Sequence, residues 1–94
     1  METNFHMLRE FDYNPENRGF CTSEEIDMIE QHFRIKDRSD VELQNLRDFV
    51  VMFYSSRLPS ARDDDYDAYM KLNDTMSAIT GVIDLNKAKR GMAV

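Results

Sequence analysis

Three stretches of this sequence carry the same signature of a helix N-terminus, and this repetition constrains the fold more than any other feature. They begin at Thr22, Ser39 and Ser60. In each, the hydroxyl can accept a hydrogen bond from an orphan backbone N–H, and an acid three positions later can reach back to the cap. Because apolar residues at helical spacing follow each signature, the sequence predicts three helices.

The flanking residues suggest where these helices begin and end. The first is predicted over residues 23–35, and the second over residues 40–57, where Pro59 prevents continuation. The third is predicted over residues 61–90, with Gly91 as its natural stop. Gly81 lies inside the third helix, where it marks either a close helix contact or a break. The predicted fold is all-α, a small three-helix bundle in a single domain over residues 1–94.

Apolar stripes indicate which helix faces are buried. The second helix has apolar residues around more than half its circumference, which is typical of a central helix. The third has apolar residues at alternating spacings of three and four, as in a packing seam between helices. The stripe of the second helix is Leu43, Leu46, Val50 and Phe53, and that of the third is Tyr69, Leu72, Met76, Ile79 and Ile83.

Residues 1–21 form the least regular part of the chain. Their apolar residues fit neither the period of a helix nor that of a strand. A short helix over residues 4–11 is the first interpretation and a short strand the second. Residues 12–19 are dense in turn formers and are predicted to be a loop. We therefore expect an irregular or short-helix N-terminal segment.

Composition excludes several classes of protein. The net charge of −6 disfavours direct binding to nucleic acid, which requires a basic face. A single cysteine excludes a disulfide-built secreted domain. The longest uninterrupted apolar run, residues 49–54, is far too short to span a bilayer. The expectation is a soluble cytoplasmic protein that binds no membrane.

Catalytic and metal motifs are not recognisable in the sequence. His6, His32 and Cys21 are the only nitrogen and sulfur ligands, and none has ligand spacing to another. There is no glycine-rich phosphate loop. The first two helices could be read as a DNA-binding helix-turn-helix, but Asp40 and Glu42 open the second helix where basic residues are needed. We expect no enzyme activity, no metal and no cofactor.

A run of aspartates is the sharpest local feature. Asp63, Asp65 and Asp67 match positions 1, 3 and 5 of a calcium-binding loop. The match fails at position 6, where Ala68 replaces the glycine that the sharp turn requires. The favoured interpretation is an acid-rich first helical turn, stabilised by the helix dipole.

The same cluster is also a candidate binding surface. Exposed aspartates resemble a row of phosphates and can attract arginine and lysine on a partner. Tyrosines beside them can serve as interface anchors or can cover the core. The candidate partner-binding residues are Asp63, Asp64, Asp65, Tyr66, Asp67 and Tyr69.

The favoured function is therefore that of a non-enzymatic interaction protein. It would occupy a basic, nucleic-acid-handling surface of a larger protein or ribonucleoprotein complex and inhibit it. Small, acidic, cysteine-poor proteins of this type are common among phage anti-defence inhibitors, including anti-CRISPR proteins and nucleic-acid mimics; no motif supports more than this analogy. The alternative is a homo-oligomeric helical adaptor or assembly chaperone, possible as a homodimer through the seam of the third helix. Burial of that seam within one chain would remove the adaptor's interface.

Overall fold

A computed structural model describes Leu8, Phe11 and residues 21–92, except for the side chains of Asp64 and Met92. This part of the chain is helical and contains no strand. The elements are helix α1, a short 3-10 helix and helices α2, α3 and α4, of which α1, α2 and α4 form a small bundle. Their bounds are Ser23–His32 for α1, Ile35–Asp37 for the 3-10 helix, Asp40–Ser55 for α2, Leu58–Asp64 for α3 and Tyr66–Met92 for α4. The predicted all-α bundle is confirmed.

The first two predicted helix starts are confirmed as capping boxes. At the start of α1, the Thr22 hydroxyl accepts a hydrogen bond from the Glu25 amide at 3.2 Å, and the Thr22 amide donates to the Glu25 carboxylate at 2.9 Å. Ser39 and Glu42 make the same pair of bonds at the start of α2, at 3.2 and 3.0 Å. Hydrogen bonds from the backbone and side chain of Ser39 hold the pKa of the Glu42 carboxyl below its usual value.

The predicted apolar stripe of α2 is buried, but α2 is not the central helix. Helix α4 contacts α1, the 3-10 helix, α2 and α3, so α4 is central. Leu43, Leu46 and Val50 are fully buried, and Phe53 is 8% exposed. Tyr54 is also buried, and this burial raises the pKa of its hydroxyl to about 12. The stripe follows the helical period, and α2 packs chiefly against α4.

Polar pairs fix the register between α2 and α4, which run antiparallel. Residues later in α2 pair with residues earlier in α4, and three such pairs form a row beside the core. Arg90 donates to Asp40 at 3.0 Å, Lys87 donates to Gln44 at 2.6 Å, and Arg47 donates to Asp84 at 2.9 Å.

The prediction of one continuous third helix over residues 61–90 is wrong. Helix α3 begins at Leu58, before the predicted cap Ser60, and Pro59 occupies its first turn, where a missing N–H costs no helical hydrogen bond. At the end of α2, the Ser55 hydroxyl lies 3.9 Å from the sulfur of Met76. The part of α4 between Tyr66 and Met76 therefore extends about 15 Å beyond the end of α2, at a rise of 1.5 Å per residue. Helix α3 carries the chain across this distance.

The predictions for the two later glycines are also wrong. Gly81 lies within α4, and a Cβ added there would meet no atom of the described residues within 4 Å, so within this part of the chain it marks neither a break nor a close contact. Helix α4 continues through Gly91 to Met92. Glycine is a poorer helix former than alanine, and no close packing against the described residues at either position compensates for this loss of helix stability.

Helices α1 and α2 end earlier than predicted. Helix α1 ends at His32, because Arg34 adopts the left-handed conformation with φ of 52°, which closes the helix before the 3-10 turn. Helix α2 ends at Ser55, and the chain turns through Ser56 and Arg57 into α3.

Four of the five residues of the apolar seam of α4 pack in or against the core of the chain. Ile79 and Ile83 are fully buried, and Leu72 and Met76 pack against the same core. In the N-terminal segment, Leu8 is helical and buried, and Phe11 packs on the core. The other residues of the segment 4–11, predicted as a helix or a strand, lie outside the described residues. So does the predicted loop over residues 12–19. None of the described helices is long and apolar enough to cross a membrane.

Candidate functional site

The junction of α3 and α4 contains all the sequence-predicted binding residues, and we call residues 63–69 the acidic elbow. The chain turns at Asp65, whose backbone is extended with φ of −155° and ψ of 107°. The Asp65 amide closes α3 by donating to the Ala61 carbonyl at 2.7 Å. The Asp65 carbonyl opens α4 by accepting from the Tyr69 amide at 3.0 Å. Asp65 therefore ends one helix and starts the next.

The Asp65 side chain has a structural function in this turn. One carboxylate oxygen accepts hydrogen bonds from the backbone amides of Asp67 at 3.0 Å and Ala68 at 3.4 Å. These are orphan donors of the first turn of α4, so Asp65 is its N-cap. The cap predicted at Ser60 is thus five positions too early, and the carboxylate of Asp65 is engaged in holding the elbow.

Asp63 and Asp67 lie on opposite sides of this turn and face different ends of a helix dipole. Asp67 is in the first turn of α4, where a negative charge is favourable. Asp63 is in the last turn of α3, where a negative charge is unfavourable. The prediction that the aspartates form one dipole-stabilised first turn is therefore wrong for Asp63. Both side chains are exposed, and neither forms an ion pair with a described side chain.

The two tyrosines of the elbow form a pair. Their ring centroids are 6.1 Å apart with an angle of 28° between the ring planes, so the rings stack. Tyr69 is partly buried, whereas Tyr66 is 65% exposed. The inner ring therefore supports the outer one, and Tyr66 presents a large apolar face between exposed carboxylates. The backbone of Asp64 belongs to α3; its side chain lies outside the described part of the structure.

The elbow does not have the geometry of a calcium loop. Asp63 is helical and Asp65 is committed to the cap of α4. Among the described residues, no three histidine, cysteine, aspartate or glutamate side chains are grouped so as to hold a metal ion. The His32 ring packs against Phe33 and Phe11, with centroids 4.8 and 5.0 Å away.

A second polar cluster was not predicted from the sequence. Glu30 is only 6% exposed, and its Oε2 accepts a hydrogen bond from Asn86 Nδ2 at 2.8 Å. The same amide also donates to the Val82 carbonyl at 2.9 Å. Lys36 Nζ lies 3.7 Å from Glu30 Oε1. The available signal was the position of Glu30 four residues after Ile26, beside the apolar stripe of α1; its partner on α4 is too distant in sequence to be inferred.

Two arginines donate hydrogen bonds to backbone carbonyls in the segment between α1 and α2. Arg38 is 3% exposed and donates from Nε to the Phe33 carbonyl at 2.8 Å. Burial lowers the pKa of its guanidinium. Arg90 donates to the Ile35 carbonyl at 3.2 Å. These bonds satisfy carbonyls at the end of α1 and in the 3-10 turn, so the arginines join α1 to α2 and α4.

No protein-family model, curated protein or solved structure matches this chain.

Proposed function

We propose that this chain is a non-enzymatic interaction protein that docks its acidic elbow onto a basic, nucleic-acid-handling surface of a larger protein or ribonucleoprotein complex. By occupying that surface it inhibits the complex. The observation that carries the proposal is Asp63, an exposed carboxylate at the unfavourable end of a helix, without an ion-pair partner among the described side chains.

Local stability gives no reason for this charge. A carboxylate in the last turn of a helix costs on the order of 0.3–1 kcal/mol relative to a neutral residue. Elsewhere in the described chain, the acids that open α1 and α2 cap helices or face the favourable dipole end. A residue that breaks a local rule without compensation within the fold is a candidate for a functional role.

Tyr66 supports the same proposal through its exposure. A tyrosine that is 65% exposed and held by a stacked neighbour is pre-ordered for contact, so little side-chain entropy is lost on binding. Aromatic anchors of this kind carry a large share of interface energy.

The chemistry of the elbow favours a basic partner. A guanidinium can pair with the carboxylate of Asp63 or Asp67 through two parallel hydrogen bonds and can stack on the face of Tyr66. Surfaces that bind nucleic acid are rich in such groups because they neutralise phosphates. The proposed setting is the cytoplasm, with inhibition of phage anti-defence or anti-CRISPR type, and it rests on the analogy of size, charge and cysteine content.

The alternative of a homo-oligomeric adaptor or assembly chaperone is less well supported. Its proposed interface was the seam of α4, and four of the five residues of that seam pack in or against the chain's own core. A homodimer would have to use another surface.

The test compares capture of partners from a lysate of the encoding organism by three forms of the chain. These are the wild type, the double reversal Asp63→Lys with Asp67→Lys, and a control with Glu24→Lys and Asp48→Lys. All four positions are exposed, and both double variants change the net charge equally. Asp65 is left unchanged because it caps α4.

We expect quantitative mass spectrometry to show partners held by the wild type and the control and lost by the elbow variant. Wild-type capture should weaken as salt rises from about 0.05 to 0.5 M, since screening shortens from above 10 Å to a few ångströms. The purified partner's binding to nucleic acid should fall when the wild type is added. The proposal would be contradicted if the elbow variant still captured the partners, or if the elbow variant and the control lost them equally.

A further inference from the structure

A separate depression opens between α1 and the 3-10 turn, with a volume of about 290 Å³. This is at the lower limit for ligand pockets and suits a single side chain better than a larger molecule. Each of its lining residues has a polar or charged side chain, and together they supply three carboxylates and two cationic groups. The lining residues are Asp27, Glu30, Gln31, Arg34, Lys36 and Asp37.

The two oxygens of the Glu30 carboxylate have different environments. Oε2 accepts the hydrogen bond from Asn86 at 2.8 Å. The nearest cationic atom to Oε1 is Lys36 Nζ, at 3.7 Å, which is beyond hydrogen-bond distance. Glu30 is 6% exposed, and among the described residues no group donates a hydrogen bond to Oε1. Oε1 is therefore free to accept from a donor that enters the depression.

Lys36 is a weak partner for this carboxylate. Its side chain is 71% exposed, so the pair with Glu30 is screened by water and costs side-chain entropy. A ligand that donates directly to Oε1 could displace the Lys36 ammonium at little cost. The displaced ammonium would return to solvent.

We propose that this depression binds an arginine side chain of a protein partner. The guanidinium would donate to Glu30 Oε1 in place of Lys36, and its remaining N–H groups would face the exposed carboxylates of Asp27 and Asp37 at the rim. A planar fork of five donors fits several carboxylates around one small depression better than the point charge of a lysine. The described residues offer no three-ligand group for a metal ion.

This inference is independent of the acidic elbow, because the depression and the elbow share no residue. The two can therefore fail separately, and one protein partner could contact both.

The test is a titration of the ¹⁵N-labelled chain with blocked arginine, acetyl-arginine-N-methylamide, followed by amide chemical shifts. Blocked lysine and sodium chloride at the same ionic strength are the reference titrants. We expect saturable shifts at Asp27, Glu30 and residues 34–37, with tighter binding of blocked arginine than of blocked lysine. Equal shifts with all three titrants would overturn the proposal.

Variants separate a binding role from a structural one. Glu30→Gln keeps an acceptor for Asn86 and removes the charge, so the shifts should be lost. Asp27 is exposed, so Asp27→Asn should leave the fold intact. This variant should weaken binding and therefore tests the site even if Glu30→Gln fails to fold. Lys36→Met should strengthen binding by up to about fivefold, since the ligand no longer displaces an ion pair.

The opposite results would contradict the proposal. These are unchanged shifts in Asp27→Asn, or binding of blocked arginine that weakens or stays the same in Lys36→Met. The double reversal Asp63→Lys with Asp67→Lys is the matched control and should bind blocked arginine at the depression like the wild type. Loss of these shifts in that control would also count against a site separate from the elbow.

Discussion

The start of α2 and the start of α4 both place acids beside a helix cap, yet the acids serve different purposes. At the start of α2, Ser39 and Glu42 satisfy each other through two hydrogen bonds. At the acidic elbow, only Asp65 has such a function. Asp63 is exposed and faces an unfavourable helix end. The difference shows that acids near a helix start must be sorted one by one into those that folding uses and those that it does not.

The two regions also differ in how their apolar residues are used. Behind Ser39, Leu43 and Leu46 are fully buried in the core. At the elbow, Tyr66 is 65% exposed and only its stacked neighbour Tyr69 is partly buried. The start of α2 is thus part of the core, whereas the elbow lies at its rim, where exposed groups are available to a partner.

The largest expected effect tests how far the core extends toward the elbow. Phe53 is the last buried stripe residue of α2; it contacts Tyr54 edge to face, and the Arg57 guanidinium lies 3.7 Å from its ring centroid. We expect Phe53→Ala to lower the free energy of unfolding by about 3–5 kcal/mol because it opens a cavity. Leu46→Ala should cost somewhat less. Urea denaturation measures both, and an unchanged midpoint for Phe53→Ala would mean that this end of α2 faces a partner.

The sequence predicts what local chemistry determines. The caps at Thr22 and Ser39 and the buried stripe of α2 follow from residues within a few positions of one another, and all are confirmed. Helix α3 was missed because it depends on where α2 ends relative to α4, which is a tertiary property. The aspartates of the elbow were predicted as a group, but their division into a cap and free carboxylates required the position of the turn at Asp65.

The next effect tests where the cap of α4 lies. Asp65→Ala should cost about 1 kcal/mol, as Ser39→Ala should, because each removes an acceptor from orphan amides. Ser60→Ala should have almost no effect, since Ser60 lies inside α3. The three free energies of unfolding can be measured side by side. If Ser60→Ala cost as much as Ser39→Ala, Ser60 would be a helix cap, as the sequence alone predicted.

A smaller effect concerns α4 beyond the elbow. Gly81→Ala should raise the free energy of unfolding by about 0.5–1 kcal/mol, because alanine is the better helix former and its Cβ meets no atom within 4 Å. Thermal and urea unfolding would measure the gain. A loss of stability would show that another surface approaches the helix closely at this position, as in a homodimer.

The most direct test of the central claim needs no partner. It compares the free energy of unfolding of Asp63→Lys with that of Glu24→Lys, a reversal of an exposed acid in the first turn of α1. Glu24→Lys should cost about 0.3–1 kcal/mol, because it places a positive charge at the positive end of a helix. Asp63→Lys should leave stability unchanged or raise it by up to about 0.5 kcal/mol, because it places that charge at the negative end. A loss for Asp63→Lys as large as that for Glu24→Lys would show that the fold uses this carboxylate, and would remove the main support for the acidic elbow as a binding surface.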